Sequence, residues 1–292
     1  MSRAGPWPAR GLAGDTLLSL IAIAVVGGSS AAFSLAVGRW LGEAPLGRAG
    51  MALALGMGAA QVAVSGIGPA TTRFTAAALA AGRPGRARAA LTAGLTAAVL
   101  LGGLFAAVAG LSSERWSARL GLSSGLAAAA AWLVLAQSAY LGLKAALYGL
   151  GLVRGYAAAE LIGGVAFVAA LAAVVLGGAG QTLLPFLAAN LAFCVVGAAV
   201  LVARLPRAGP SPSTATGAPP PAAQATTWRV PGMAAFATVA TVGSSAALAR
   251  LSLGPLVTGL LWPADEVGLL QAALSFLLLV LFVPRGLELA LF

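Results

Sequence analysis

The chain has 292 residues, of which 60% are hydrophobic and 8% charged, with a net charge of +10 and a mean hydropathy of +0.97. A soluble domain carries about 25% charged residues, so this sequence lacks the polar surface to face water all round. With no histidine, one cysteine (Cys194) and seven acidic residues, it excludes a zinc site, a disulfide framework and a histidine-based acid–base pair.

Apolar stretches of roughly 20 residues recur, long enough to cross a ~30 Å hydrocarbon core as helices. They do not alternate at period two, which excludes a transmembrane β-barrel. The pattern predicts an all-α, polytopic transmembrane bundle of about eight spans: 16–37, 50–70, 89–111, 123–143, 157–178, 183–203, 231–253 and 268–290. The first follows Arg3 and Arg10 and runs to Val37, too long for a secretory h-region.

Taken in order, span 1 opens with Asp15 and Ser19 at helical spacing. Asp15 reads either as a proton or ion-coupling residue or as a helix N-cap. Arg39 closes the span. Span 2 carries Gln61 and Ser65, with Thr72 beyond, on one polar stripe, and Pro69 near its end predicts a bend. Span 4 carries Gln137, Tyr140, Lys144 and Tyr148 at spacings of three, four and four, hence on one helical face. That face reads either as a cavity lining or as an interfacial belt. The glycine pairs 102–103, 163–164 and 177–178 predict close helix packing. Spans 7 and 8 contain Arg250 and Arg285, the latter three residues before Glu288. An arginine within a span is a functional candidate by default, although Arg39 and Arg250 are also placed to snorkel to the headgroups.

The loop charges set an orientation. With the N-terminus inside, that side holds Arg3, Arg10, Arg73, Arg83, Arg86, Arg88, Lys144, Arg154, Arg204, Arg207 and Arg229. The other holds Arg39, Arg48, Arg115 and Arg119. The excess predicts a cytoplasmic N-terminus and assigns the net positive charge to topology rather than to nucleic acid.

Residues 204–229, RLPRAGPSPSTATGAPPPAAQATTWR, are rich in Pro, Ser, Thr and Ala and predict an extended linker. The pentapeptide GSSAA stands at 28–32 in span 1 and again at 243–247 in span 7. A shift of 221 residues lays Gly38 on Gly259, Leu46 on Val267 and Gly47 on Gly268. The chain therefore reads as two related halves in parallel orientation: 1–203 with six spans, the linker 204–229, and 230–292 with two.

The stretches GRWLGEAPLGRAGMALAL and SGIGPATTRFTAAALAAGRPGRARAAL, with Gly38, Gly42, Gly47, Arg73, Phe74, Gly82, Arg86, Ala87 and Arg88, resemble the start of an O-antigen or capsule flippase. That group belongs to the multidrug/oligosaccharidyl-lipid/polysaccharide exporter superfamily. GLLWPADEVGLLQAALSF is similar to the family's loop between helices 7 and 8. The resemblance implies a bacterial inner-membrane transporter, not an enzyme, with no cofactor and no catalytic residue. It would flip polyprenyl-pyrophosphate-linked oligosaccharide through the surrounding lipid by alternating access, with H+ or Na+ as the coupling ion. It also implies twelve or more helices, so the chain reads as the first two-thirds of such a protein. In that reading Arg285, Arg250, Arg39 and Lys144 attract the pyrophosphate, Gln137, Tyr140 and Gln61 meet sugars, and Asp15 is the ion-coupling candidate. Two alternatives stand beside it. A cation-coupled multidrug exporter of the same superfamily needs an acidic cavity residue, for which Asp15 and Glu160 are available. A membrane glycosyltransferase needs a large external loop, and 112–122 is short.

Overall fold

In a computed structural model of the chain, the backbone is described for residues 9–177, 181–205, 230 and 232–291. Within those ranges the side chains of 9–13, 15–16, 245–251 and 278–291 are not described. The described residues form no strand. Their helices are α1 (Ala9–Trp40), α2 (Glu43–Val64), α3 (Ile67–Ala80), α4 (Pro84–Leu111), α5 (Ser113–Leu120), α6 (Ser124–Gly149), α7 (Val153–Gly177), α8 (Leu184–Arg204), α9 (Met233–Leu261) and α10 (Ala264–Leu291).

Five of them (α1 from Leu17, α4, α6, α7 and α8) are long and apolar enough to cross a membrane, and the pair α2 and α3 makes a sixth if taken together. The expected second span, 50–70, is in fact this pair, bent by 40°. Its break at Ser65–Gly66 lies one turn ahead of Pro69, whose ring has no N–H for the Ser65 carbonyl and crowds it. The other loops are shorter than the periodicity predicts. Residues 38–49 keep only Leu41 and Gly42 outside a helix, and 144–156 keep only Leu150–Leu152. Lys144 and Tyr148 thus lie inside α6, not in a loop. Residues 112–122 hold the short helix α5, anchored where the Trp116 indole N–H donates to the Ala109 carbonyl at 2.9 Å.

The turns follow local chemistry. Gly42, between α1 and α2, sits at φ 97°, ψ 173°, a conformation open to glycine alone. Pro84 starts α4 at a position where no N–H is needed. Ser123 caps α6 by accepting the Leu126 N–H at 3.3 Å.

α6 is the axis of the bundle and touches α2, α3, α4, α7 and α8. Two apolar clusters lie along it. Phe33, Val37, Leu126, Leu133 and Phe186 pack at the end where α1 finishes, which we call the upper end. Ala22, Tyr140, Leu147, Tyr156 and Phe193 pack toward the lower end. Large apolar side chains such as Leu100, Leu104, Val165, Val168, Val195 and Val202 point outward. This apolar outside around a partly polar inside suits lipid, where helices associate through close packing rather than through burial from water. One glycine of a pair does that packing at α4, where Gly102 meets Ser138. In α7 both do, Gly163 against Ala189 and Gly164 against Val25. Gly177 touches nothing, and residue 178 lies outside the described residues.

α9 and α10 lie against α1, α2 and α3. Their ends, Leu261 and Ala264, stand 221 residues after Trp40 and Glu43, the matching ends of α1 and α2. α2 and α10 cross at the glycines that the 221-residue shift equates. A Cβ on Gly47 would collide with the Ala264 carbonyl, and a Cβ on Gly268 with that of Glu43. Ala264 and Glu43 are themselves equivalent positions, so the contact is reciprocal. Beside it, Ser34 of α1 and Ser275 of α10 share a buried hydrogen bond of 2.7 Å.

Candidate functional site

The lower half of the bundle holds a cluster of polar side chains that the apolar sequence around it makes conspicuous. α6 and α7 are joined by Leu150–Leu152 and run antiparallel. The short turn brings Tyr140, nine residues before the end of α6, level with Glu160, seven residues into α7. The Tyr140 hydroxyl donates to Glu160 Oε1 at 2.5 Å. Lys144 Nζ stands 3.8 Å from the same oxygen and donates to the Tyr140 hydroxyl at 3.4 Å. Its ammonium also lies over the rings of Tyr140 and Tyr156, at 5.5 and 5.1 Å, an arrangement that attracts a cation to the ring faces.

Glu160 is 5% exposed, whereas the Lys144 side chain keeps 30% of its surface open. A carboxylate this deep is tolerated only with a counter-charge and hydrogen bonds, and Lys144 and Tyr140 supply both. The rest of the cluster is aromatic. Tyr156 is fully buried, its ring 4.7 Å from that of Tyr148 and 6.1 Å from that of Phe193. The Tyr156 hydroxyl makes no hydrogen bond of ordinary geometry, although Glu160, one turn along α7, is within its electrostatic reach. One turn above on α6, the Gln137 side-chain oxygen Oε1 accepts from the Asn190 side-chain amide of α8 at 2.8 Å, both buried.

The stripe read from the sequence on α6 thus faces inward. Gln137 and Tyr140 are buried against α7 and α8, and Lys144 and Tyr148 are half-buried. Arg39 and Gln61 do not join them. Arg39 is exposed in the last turn of α1, at the upper end and so at the far end of the bundle from Lys144. Gln61 is half-buried on α2, one turn from Ser65, whose hydroxyl turns back to the Val62 carbonyl at 3.3 Å. Thr72, expected on the same stripe, instead donates to the Ala145 carbonyl at 3.0 Å and ties α3 to α6. The side chains of Asp15, Arg250 and Arg285 lie outside the described residues.

Asn190 and the pairing role of Glu160 were not read from the sequence. The signal was there: Glu160 is the one acid between Glu114 and Asp265, and an intramembrane acid calls for a named partner. Among the described residues no three metal-ligating side chains converge. The arrangement offers proton and hydrogen-bond chemistry. Two grooves, of about 380 and 290 Å3, flank the exposed Trp132 near the upper end, and neither is lined by a charged side chain.

No protein-family model, curated protein or solved structure matches the chain. The class that its fold defines is a helical protein with, among the described residues, five or six helices long and apolar enough to span a membrane.

Proposed function

We propose that the chain is the α1–α10 part of a two-half membrane transporter that flips polyprenyl-pyrophosphate-linked oligosaccharide across a bacterial inner membrane. One observation carries the two-half reading. The α1–α2 and α9–α10 hairpins break at equivalent residues and cross at the equivalent glycines Gly47 and Gly268. Parallel repeats of this kind place a substrate route along the seam between the halves. In this reading eight spans cross with the N-terminus inside, counting α2 and α3 as one and adding α9 and α10. The lower end is then cytoplasmic and carries Arg73, Arg83, Arg86, Arg88, Arg154 and Arg204.

Arg250 and Arg285 belong to α9 and α10, Arg73 of α3 lies over the Phe236 ring of α9 at 4.7 Å from its centroid, and Lys144 with Gln137 and Tyr140 belongs to the interior of the first half. The family resemblance of residues 28–91 and 243–275 supplies the substrate class. The multidrug alternative needs an acid free to attract a cationic drug. Of the two acids available to it, Glu160 is already held by Lys144 and Tyr140, and the Asp15 side chain lies outside the described residues.

Depleting the gene in its source cell and measuring lipid-linked oligosaccharide in each leaflet tests the reading. Accumulation on the cytoplasmic leaflet is expected, and the mass of the accumulated species names the glycan. An unchanged leaflet distribution with new sensitivity to cationic drugs would move the chain to the multidrug branch.

A further inference from the structure

The lower end of the seam between the halves is made by α3 and α9, and Arg73 stands in it. Its guanidinium lies over the Phe236 ring of α9, 4.7 Å from the centroid. The ring is fixed in turn. Phe74 meets it edge-on, with centroids 6.2 Å apart, and both rings pack around the buried Ala70, Ala90 and Met233. Glycine lets the two helices come this close, since a Cβ on Gly66 would collide with the Ala237 carbonyl of α9.

The ring face attracts the cation but accepts none of its five N–H donors as an oxygen would. Arg73 is exposed, and among the described residues it makes no hydrogen bond and no ion pair. We infer that Arg73, positioned by Phe236, binds the phosphate of a lipid at the lower mouth of the α3–α9 seam.

The surroundings supply an approach and a field. Arg73, Ala76, Ala77 and Ala80 share one face of α3 and are all exposed. The methyl groups leave a lane from Arg73 to the end of α3, seven residues on and about 10 Å along the axis, with no bulky side chain in it. Below, Arg83, Arg86 and Arg88 are exposed in the α3–α4 turn and the start of α4, and none of them is in an ion pair. The sequence has no acid between Glu43 and Glu114, so this positive field is not balanced by its own segment, and it draws anions to the mouth. The anion met where a span leaves the hydrocarbon is a lipid phosphate. An arginine fork matches two phosphate oxygens at once, which an ammonium cannot do.

Two lipids bring that group: a bulk anionic phospholipid, and the pyrophosphate-linked lipid of the function proposed above. The second assignment rests on that function; the phosphate site does not.

Scintillation-proximity binding of tritiated farnesyl pyrophosphate to the purified, detergent-solubilised full chain tests the site. Arg73→Gln should weaken binding about tenfold or more, and Arg73→Lys should restore only part of it. Phe236→Leu should weaken binding several-fold while Phe236→Tyr keeps it, a difference that follows from the ring face. Arg119→Gln, at the upper end, should change nothing. Equal affinity in Arg73→Gln and the unaltered protein would overturn the assignment, as would no binding to the unaltered protein or an equal loss in Arg119→Gln. Competition separates the two lipids. Phosphatidylglycerol that displaces the label as well as unlabelled farnesyl pyrophosphate does would leave the phosphate site standing, assign it to bulk lipid and count against the transporter reading. A tenfold preference for the pyrophosphate would support both.

Discussion

At the scale of the residue, the interior of this chain is governed by what it costs to keep an acid among alanines, leucines and tyrosines. Glu160 is 5% exposed and depends on Tyr140 and Lys144. Breaking a buried pair from one side typically costs about 3–5 kcal/mol. Here Lys144 is partly open to solvent, so Lys144→Met should cost about 2–3 kcal/mol. Adding Glu160→Gln to Lys144→Met should recover most of that, because no charge is then left in the interior. Reversible unfolding in mixed micelles, run as a double-mutant cycle, measures the coupling. Equal losses in the single and double variants would mean that the pair carries no net interaction. The neighbouring Asn190–Gln137 bond is a milder case. Neutral hydrogen bonds between membrane helices are worth about 0.6 kcal/mol on average, so Asn190→Leu should lower stability by about 1 kcal/mol at most in the same assay.

At the scale of the element, α2 is where close approach decides the packing. Gly47, Gly50, Gly56 and Gly58, with Gly66 just past the end of the helix, each face a neighbour, and at Gly47, Gly56 and Gly66 backbone is among the nearest atoms. A carbonyl cannot rotate aside as a side chain can, so even one methyl group forces the helices apart. Gly47→Ala should therefore loosen α10 from α1 and α2. Its effect reads out in a protein carrying Ser34→Cys and Ser275→Cys, whose hydroxyls stand 2.7 Å apart. The pair should oxidise readily to a disulfide, and adding Gly47→Ala should slow that reaction several-fold. Gly103→Ala, with nothing within 4 Å, is the matched control and should leave the rate unchanged. An equal rate in both would show that the crossing does not depend on Gly47. The helices themselves were legible from apolar length, but their ends were not. Periodicity ends a span where polar residues begin, and α6 carries Lys144 and Tyr148 past that point because α7 and α1 cover them. The bend in α2–α3 was legible as Pro69, since its cause is local. The Tyr140–Glu160 contact was not, because it depends on the length of the α6–α7 turn and on how two residues 20 apart face each other across it.

At the scale of the whole molecule, the arrangement of charge gives the fold a direction. Arg39, Arg48, Arg115 and Arg119 stand at the upper end, where α5 also lies, together with Glu43, Glu114, Asp265 and Glu266. Arg73, Arg83, Arg86, Arg88, Arg154 and Arg204 stand at the lower end with no acid in the adjoining turns. Lysine and arginine close to a span hold it on the cytoplasmic side, while acids weigh little, so the lower end should face the cytoplasm. Cys194 is half-buried in α8, and Cys194→Ala removes it as a background label. In that protein, Arg39→Cys and Arg119→Cys should react with a membrane-impermeant maleimide added to intact cells, whereas Arg83→Cys and Arg86→Cys should react only after the membrane is opened. The reverse pattern would invert the molecule and put the Lys144 side of the cluster on the outside. Labelling of all four in intact cells would mean that the two ends do not lie on opposite faces of a membrane, and the eight-span reading would go with it. The assay depends on neither substrate nor coupling ion, so its result fixes the orientation of the bundle before any transport is measured.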